Sequence, residues 1–215
     1  VKVPEDVITA HCSSDVLSRV FLLSPATLGG LRAKQLTSPR AGFATALRYR
    51  SEEGVMIGEA FAFMSALYFR GKITYALHFA GTTGTFVITS GYGLVPPDWR
   101  LTPERLKKMQ KVDIDVSDRK YVKPLRDSAL ALASSITAET QVVLLGSVAT
   151  GKYVDVLRPI FGNRLRFPAA FAGLGDMSRG GLMLRAVRAD KELEYTTLDA
   201  PRHRAPGASG KMPIL

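Results

Sequence analysis

Short, continuous apolar runs alternate along this chain with longer segments of helical spacing. Val20-Phe21-Leu22-Leu23 is apolar without interruption, as a strand covered on both faces is, and Ser24-Pro25 stops it. Thr85-Phe86-Val87-Ile88-Thr89 is β-branched and aromatic and is closed by Gly91, Gly93 and Pro96-Pro97. Segments 141–145 and 165–171 complete four strands of buried type. Between them, 31–36 reads as one or two helical turns, and 40–50 as a helix with a cationic end at Arg48 and Arg50. Segment 58–69 is apolar on nearly every side, a buried helix that Gly71 is expected to break or kink before a second piece at 72–79.

Farther on, Thr102-Pro103-Glu104 pairs a capping residue with proline at the first helical position, opening a helix that ends near Lys111. An acidic loop spans 113–118. Leu125, Ala129, Leu132 and Ile136 then recur at helical spacing from Pro124 onward. Tyr153, Val156, Leu157 and Ile160 mark the inward face of another helix, and the last helix runs through Val187. Segment 192–198 is a more polar edge strand.

Strands alternating with helices predict right-handed crossovers. The expected fold is one α/β domain over 18–199, with a mainly parallel sheet of about four to five strands and helices on both faces. Residues 1–17 read as an extension with a short edge strand at 7–10. Residues 200–215, rich in proline, glycine and basic residues, read as a mobile tail. Ligands of such sheets sit outside the carboxyl ends of the strands. One rim would therefore collect 24–30, 90–98, 146–152 and 173–181.

Charge adds a partner class. The net charge is +10, and residues 1–17 hold Lys2 against Glu5, Asp6 and Asp15, so the remainder carries +12. Such an excess favours polyanions, a nucleotide or a nucleic acid. Cys12 is the only cysteine, and His11, His78 and His203 lack ligand spacing, so neither a metal site nor a cofactor is expected. No run approaches the roughly 20 apolar residues of a membrane span, and no leader pattern opens the chain. These features predict a cytoplasmic protein without a membrane partner; oligomeric state is left open.

Three stretches carry candidate chemistry. Gly146-Ser147-Val148-Ala149-Thr150-Gly151-Lys152 fits the glycine and lysine spacing of a phosphate-binding loop, but Tyr153 stands where the magnesium-holding hydroxyl belongs. The weaker expectation is that Ser147, Lys152 and nearby amides hold a phosphate or carboxylate. Tyr68-Phe69-Arg70-Gly71-Lys72 places two cations and a phenol together, either as solubilising charge at a helix end or as phosphate and stacking contacts. Gly173-Leu174-Gly175-Asp176-Met177-Ser178-Arg179-Gly180-Gly181 reads as a strand-to-helix turn. There Asp176 or Ser178 caps a helix, or Arg179 and amides at 178–181 surround an anion with Asp176 as a base or sugar contact. His78 reads as a core residue and Trp99 as a lid or packing residue.

Ser24-Pro25-Ala26 with Gly30 and Arg32-Ala33, Leu67-Tyr68-Phe69-Arg70-Gly71-Lys72, Gly146-Ser147 with Lys152-Tyr153, and Gly175-Asp176-Met177-Ser178-Arg179-Gly180-Gly181 resemble an uncharacterised bacterial protein family. More distantly, Ser24-Pro25-Ala26 and the pattern at 89–94 look like the YaaA-type peroxide-stress proteins. The resemblance carries no catalytic assignment. The residues themselves point to a phosphate-bearing ligand at the rim, with Ser24, Tyr68, Arg70, Lys72, Ser147, Lys152, Ser178 and Arg179 as contacts and Asp176 as the catalytic candidate. Nucleotide or N-glycosidic bond processing is the reaction class to test first. A non-enzymatic DNA or RNA binder, or a stress-related protein, is the alternative.

Overall fold

A computed structural model describes residues 17–199. The expectations for 1–16, including the edge strand at 7–10, and for the tail at 200–215 lie outside the described residues. Within them the chain forms one α/β domain. In order come β1 (Arg19–Leu23), α1 (Leu31–Thr37), α2 (Ala44–Arg50), β2 (Val55–Met56), α3 (Ile57–Met64), α4 (Ala66–Ala80), β3 (Thr85–Thr89), β4 (Gly93–Val95) and β5 (Arg100–Leu101). Then follow α5 (Pro103–Gln110), α6 (Arg119–Ser135), β6 (Gln141–Leu145), α7 (Val154–Phe161), β7 (Leu165–Pro168), α8 (Asp176–Arg188) and β8 (Tyr195–Thr197).

The main sheet is mixed and has six strands in the order β4-β3-β1-β6-β7-β8, beside a small β2-β5 pair. The four strands read as buried are mutually parallel: β1 pairs with β3 and β6, and β6 with β7. Antiparallel β4 and β8 close the two edges. β8 falls within the expected edge strand, whereas β4 folds back as a hairpin partner where only a closing turn was read.

Alternation along the central strands divides the core. Phe21, Leu23, Val143 and Leu145 face one side with residues of α1–α5 and α8, while Val20, Leu22, Val142 and Leu144 face the other with α6 and α7. Each such fully buried side chain contributes about 1.5–3 kcal/mol of apolar burial.

Several boundaries move, each for a local reason. Gly71 does not break a helix; it lies inside α4, where a Cβ would stand 2.7 Å from the Gly180 carbonyl oxygen of α8. The two glycines let the helix backbones touch. The break falls earlier, at Ser65-Ala66, where Ala66 has φ 47. Segment 58–69 is thus split between α3 and α4.

α6 begins five residues before Pro124, capped by Asp118, whose carboxylate accepts from the Lys120 amide at 2.8 Å. Pro124 lies inside the helix, past the free amides of its first turn, so the bond that an amide there would make to the Lys120 carbonyl is missing. β7 ends at Pro168, and 169–171 turn as a 3-10 helix. Thr102 caps α5 as expected, accepting from the Arg105 amide at 3.4 Å.

Candidate functional site

The sheet has a switch point. From β1 the chain crosses to β3 on one side, whereas β6 lies on the other side of β1 and leads onward to β7. The loops after β1 and β6 therefore diverge, and a crevice opens outside the carboxyl ends of those two strands. Ser24 and Gly146 stand at its floor. The Ser24 amide donates to the Leu145 carbonyl at 3.2 Å and the Ser24 hydroxyl to the same oxygen at 3.3 Å. A Cβ on Gly146 would lie 2.9 Å from the Ser24 Cβ, so only glycine fits beside this serine.

α4 sends Lys72 into this floor. Its side chain is 1% exposed, and Nζ lies 2.6 Å from the Ser24 carbonyl oxygen and 2.8 Å from Ser24 Oγ. Nζ also sits 4.2 Å from the centre of the Tyr68 ring and 5.0 Å from that of Phe69. Among the described residues no carboxylate comes within ion-pairing distance of it. Burial pushes this amine down to about 7; Asp176 offsets part of the shift and Arg179 adds to it. A lysine with neutral oxygens and ring faces as its only partners among the described residues is an unusual occupant of a core.

Around Lys72 stand Tyr68, Asp176 and Arg179, with Tyr153 beside Tyr68 and Asp176. The Tyr68 hydroxyl is buried and makes no hydrogen bond among the described residues although it faces Arg179 and Ser24, and burial raises its pKa. Tyr153 is buried and held protonated, pushed up to about 12 by desolvation and then by Tyr68 and Asp176. Asp176 opens α8 as its first helical residue, two-thirds exposed, with Arg179 Nη1 3.6 Å from its carboxylate. Arg179 spends Nε and Nη2 on the Phe171 carbonyl, at 3.3 and 3.1 Å.

Two expectations about α8 change. Gly175, not Asp176 or Ser178, occupies the cap position, and no side chain caps the helix. The segment 178–181 is helix rather than turn. The Arg179 amide is bonded to the Gly175 carbonyl, which leaves the amides of Asp176, Met177 and Ser178 as the outward-facing donors of the first turn.

The structure thus brings together Ser24, Tyr68, Lys72, Asp176 and Arg179 from the sequence reading. Four other candidates stand apart. Arg70 is exposed and lies about 200° around α4 from both Tyr68 and Lys72, at 100° per residue. Ser178 is exposed in the first turn of α8. Ser147 stays within its own loop, its hydroxyl accepting from the Ala149 amide at 3.3 Å.

Lys152 is exposed and turns toward the acidic loop, where it adds to the Ser117 hydrogen bonds that keep Asp115 below the usual carboxylate range. The Asp155 carboxylate folds back over Gly151, so the phosphate-loop match is partly filled by the chain's own anion. A cleft of about 620 Å³ lies beside the floor, lined by Pro25, Ala26, Thr27, Asp115, Lys152 and Tyr153 among others. Tyr153 is the site residue that sequence reading missed. The sequence placed it on an inward helix face and where a phosphate loop needs a small hydroxyl, without marking it as a contact.

No cluster of metal-ligating side chains occurs among the described residues, and no described helix is long and apolar enough to cross a membrane. Comparison with family models, with curated proteins and with solved structures finds no match to this chain.

Proposed function

We propose that the crevice at the ends of β1 and β6 binds a phosphate-bearing ligand, a nucleotide being the first class to test. The observation that supports this reading is the buried Lys72 amine with no acid among the described residues to neutralise it. An anion entering the crevice would supply the missing charge, with Arg179 and the first-turn amides of α8 as the directional contacts. Tyr153 and Tyr68 offer phenol donors on the same floor. Asp176, exposed at the rim and beside Arg179, fits a contact to a sugar hydroxyl or a base. Nucleotide or N-glycosidic bond processing remains the reaction class that this set would serve.

Equilibrium binding of pyrophosphate and of nucleoside mono- and diphosphates, at about pH 6 and about pH 8.5, tests the reading. Affinity should fall on the alkaline side as Lys72 loses its proton, and Arg179→Ala should weaken it by about tenfold or more. Equal affinity at both pH values in wild type, together with an unaffected Arg179→Ala variant, would sink it.

A second reading has its own observation. The Arg105 guanidinium stacks over Trp99 at 4.4 Å and the Lys108 ammonium over Tyr92 at 4.3 Å, forming a basic and aromatic surface beside β5 and α5. Such a surface suits a nucleic-acid backbone without catalysis. Binding of a short oligonucleotide that weakens steeply with salt and ignores Lys72→Met would favour it over the crevice.

A further inference from the structure

We propose that Ser24 is a covalent nucleophile for acyl transfer, with Lys72 as the base that takes its proton and the Tyr68 hydroxyl as the donor that holds the oxyanion. The substrate class is a carboxylic ester carrying an anionic group. Where that group docks rests on the crevice reading given above, whereas the nucleophile itself does not.

The hydrogen-bond inventory supports the assignment. A neutral amine has one lone pair, and Lys72 Nζ has two oxygens in reach: the Ser24 carbonyl at 2.6 Å, which can only accept, and Ser24 Oγ at 2.8 Å. When the amine is neutral, it donates to the carbonyl and its lone pair receives the serine hydroxyl proton. When it is charged, it donates to both oxygens, and the hydroxyl turns to the Leu145 carbonyl at 3.3 Å. Lys72 Nζ, Ser24 Oγ and the Ser24 carbonyl each keep a hydrogen bond in either state, so the proton can lie on either side without a rearrangement of heavy atoms. That is the geometry a serine and its base require.

The Tyr68 hydroxyl supplies an independent pointer. It is buried and makes no hydrogen bond among the described residues, facing Arg179 and Ser24. A donor of this kind costs stability unless something arrives to accept from it. Oxygen charge developing on a carbonyl attacked by Ser24 would do so.

The step balances as follows. Ser24 Oγ bonds to the carbonyl carbon while Lys72 Nζ takes the hydroxyl proton, and the carbonyl electron pair moves onto its oxygen against Tyr68. That pair returns as the bond to the alkoxide breaks, and Lys72 hands its proton to the leaving oxygen. Water repeats the attack on the acyl-serine with the same base, releasing the carboxylic acid and restoring Ser24. The groups that face Lys72 and set its basicity are Asp176 and Arg179 of α8, with the phenol of Tyr68 beneath it on α4. Its depressed pKa, near 7, leaves a substantial neutral fraction at physiological pH.

An alkyl fluorophosphonate tests the nucleophile directly: the Ser24 oxygen–phosphorus bond forms, the phosphorus–fluorine bond breaks, and Lys72 takes the proton. Intact mass and peptide mapping should show one adduct, on Ser24. Its rate should climb with pH and level off above the Lys72 titration near 7. Ser24→Ala should give no adduct, and Tyr68→Phe should slow labelling by about 100-fold. Lys72→Arg, with folding checked by circular dichroism, keeps a cation but loses the base and should slow labelling by at least about 100-fold. Folded wild type that gains no Ser24 adduct between about pH 6 and 9 would overturn the proposal. So would a pH-independent labelling rate, or Lys72→Arg reacting at the wild-type rate. Protein that binds pyrophosphate but resists the fluorophosphonate loses the dyad and keeps the anion site; labelled protein that ignores pyrophosphate does the reverse.

Discussion

Two polar side chains three residues apart on α4 are driven into the core against β1, and they meet opposite fates. Tyr75 enters a closed network. Its hydroxyl receives the Leu193 amide at 2.8 Å and donates to the Tyr195 hydroxyl at 2.6 Å, which donates to Glu192 at 2.6 Å, and Glu192 pairs with Arg19. Every donor finds an acceptor and the charges cancel, while burial holds Tyr75 up at about 12. Lys72, one turn earlier, has oxygen acceptors but no acid among the described residues, and its neighbour Tyr68 makes no hydrogen bond to them. The same helix and strand therefore compensate one buried polar group completely and leave the other short. The Tyr75 network ties 192–195 to α4 and to Arg19 of β1 and is structural. The deficit at Lys72 lies at the switch point, where sheets of this class place ligands, and that position is what supports the proposed ligand site.

Four changes should break or sharpen this contrast. The largest effect is expected from Gly71→Ala, which sets a methyl 2.7 Å from the Gly180 carbonyl oxygen and forces apart the helices that hold both networks. A loss on the order of 3 kcal/mol or more should appear in chemical denaturation. Tyr195→Phe removes the central hydroxyl, leaving Tyr75 and Glu192 without their shared partner. Denaturation should show a loss of about 1–3 kcal/mol, with ligand binding at the crevice unchanged in folded protein.

Lys72→Met should act in the opposite direction. The unfolded amine titrates at 10.5 and the folded one near 7, so between these values the unfolded chain holds the extra proton. The stability this group contributes is complete above 10.5 and is lost as pH falls toward 7. Wild type should therefore gain stability with rising pH across that window, relative to Lys72→Met. Near neutrality the variant should be more stable by about 1–3 kcal/mol, since an apolar chain of similar length avoids the desolvation at the cost of two hydrogen bonds. Denaturation midpoints of both proteins across the pH range read this directly. The smallest effect belongs to Arg70→Ala, exposed on the far side of α4: stability and anion affinity should both stay within about 0.5 kcal/mol of wild type.

Much of the scaffold was legible because the apolar runs 20–23 and 142–145 report burial on both faces and the β-branched, aromatic stretch 85–89 favours a strand. The rim followed from the parallel order, and with it the grouping of Ser24, Asp176 and Arg179 at strand ends. What could not be read depended on contacts across the fold. Gly71 looks like a helix breaker in one dimension and is a helix contact in three, because its partner Gly180 lies more than a hundred residues away. Arg70 and Lys72 look equivalent in sequence, and the helical turn sends one to solvent and the other to the floor. Lys152 matched a phosphate loop by spacing, but the acidic loop, whose fold is set by Asp115 and Ser117, lies where its charge turns.

The central claim is that Lys72 is a buried amine left without an acid. A pH titration of its ε-carbon and ε-nitrogen resonances by NMR, assigned by comparison with Lys72→Met, measures that state. The account predicts a transition near 7 that moves upward when pyrophosphate is added. A Lys72 that remains charged to beyond about pH 10 in the folded protein, with or without the anion, would contradict it.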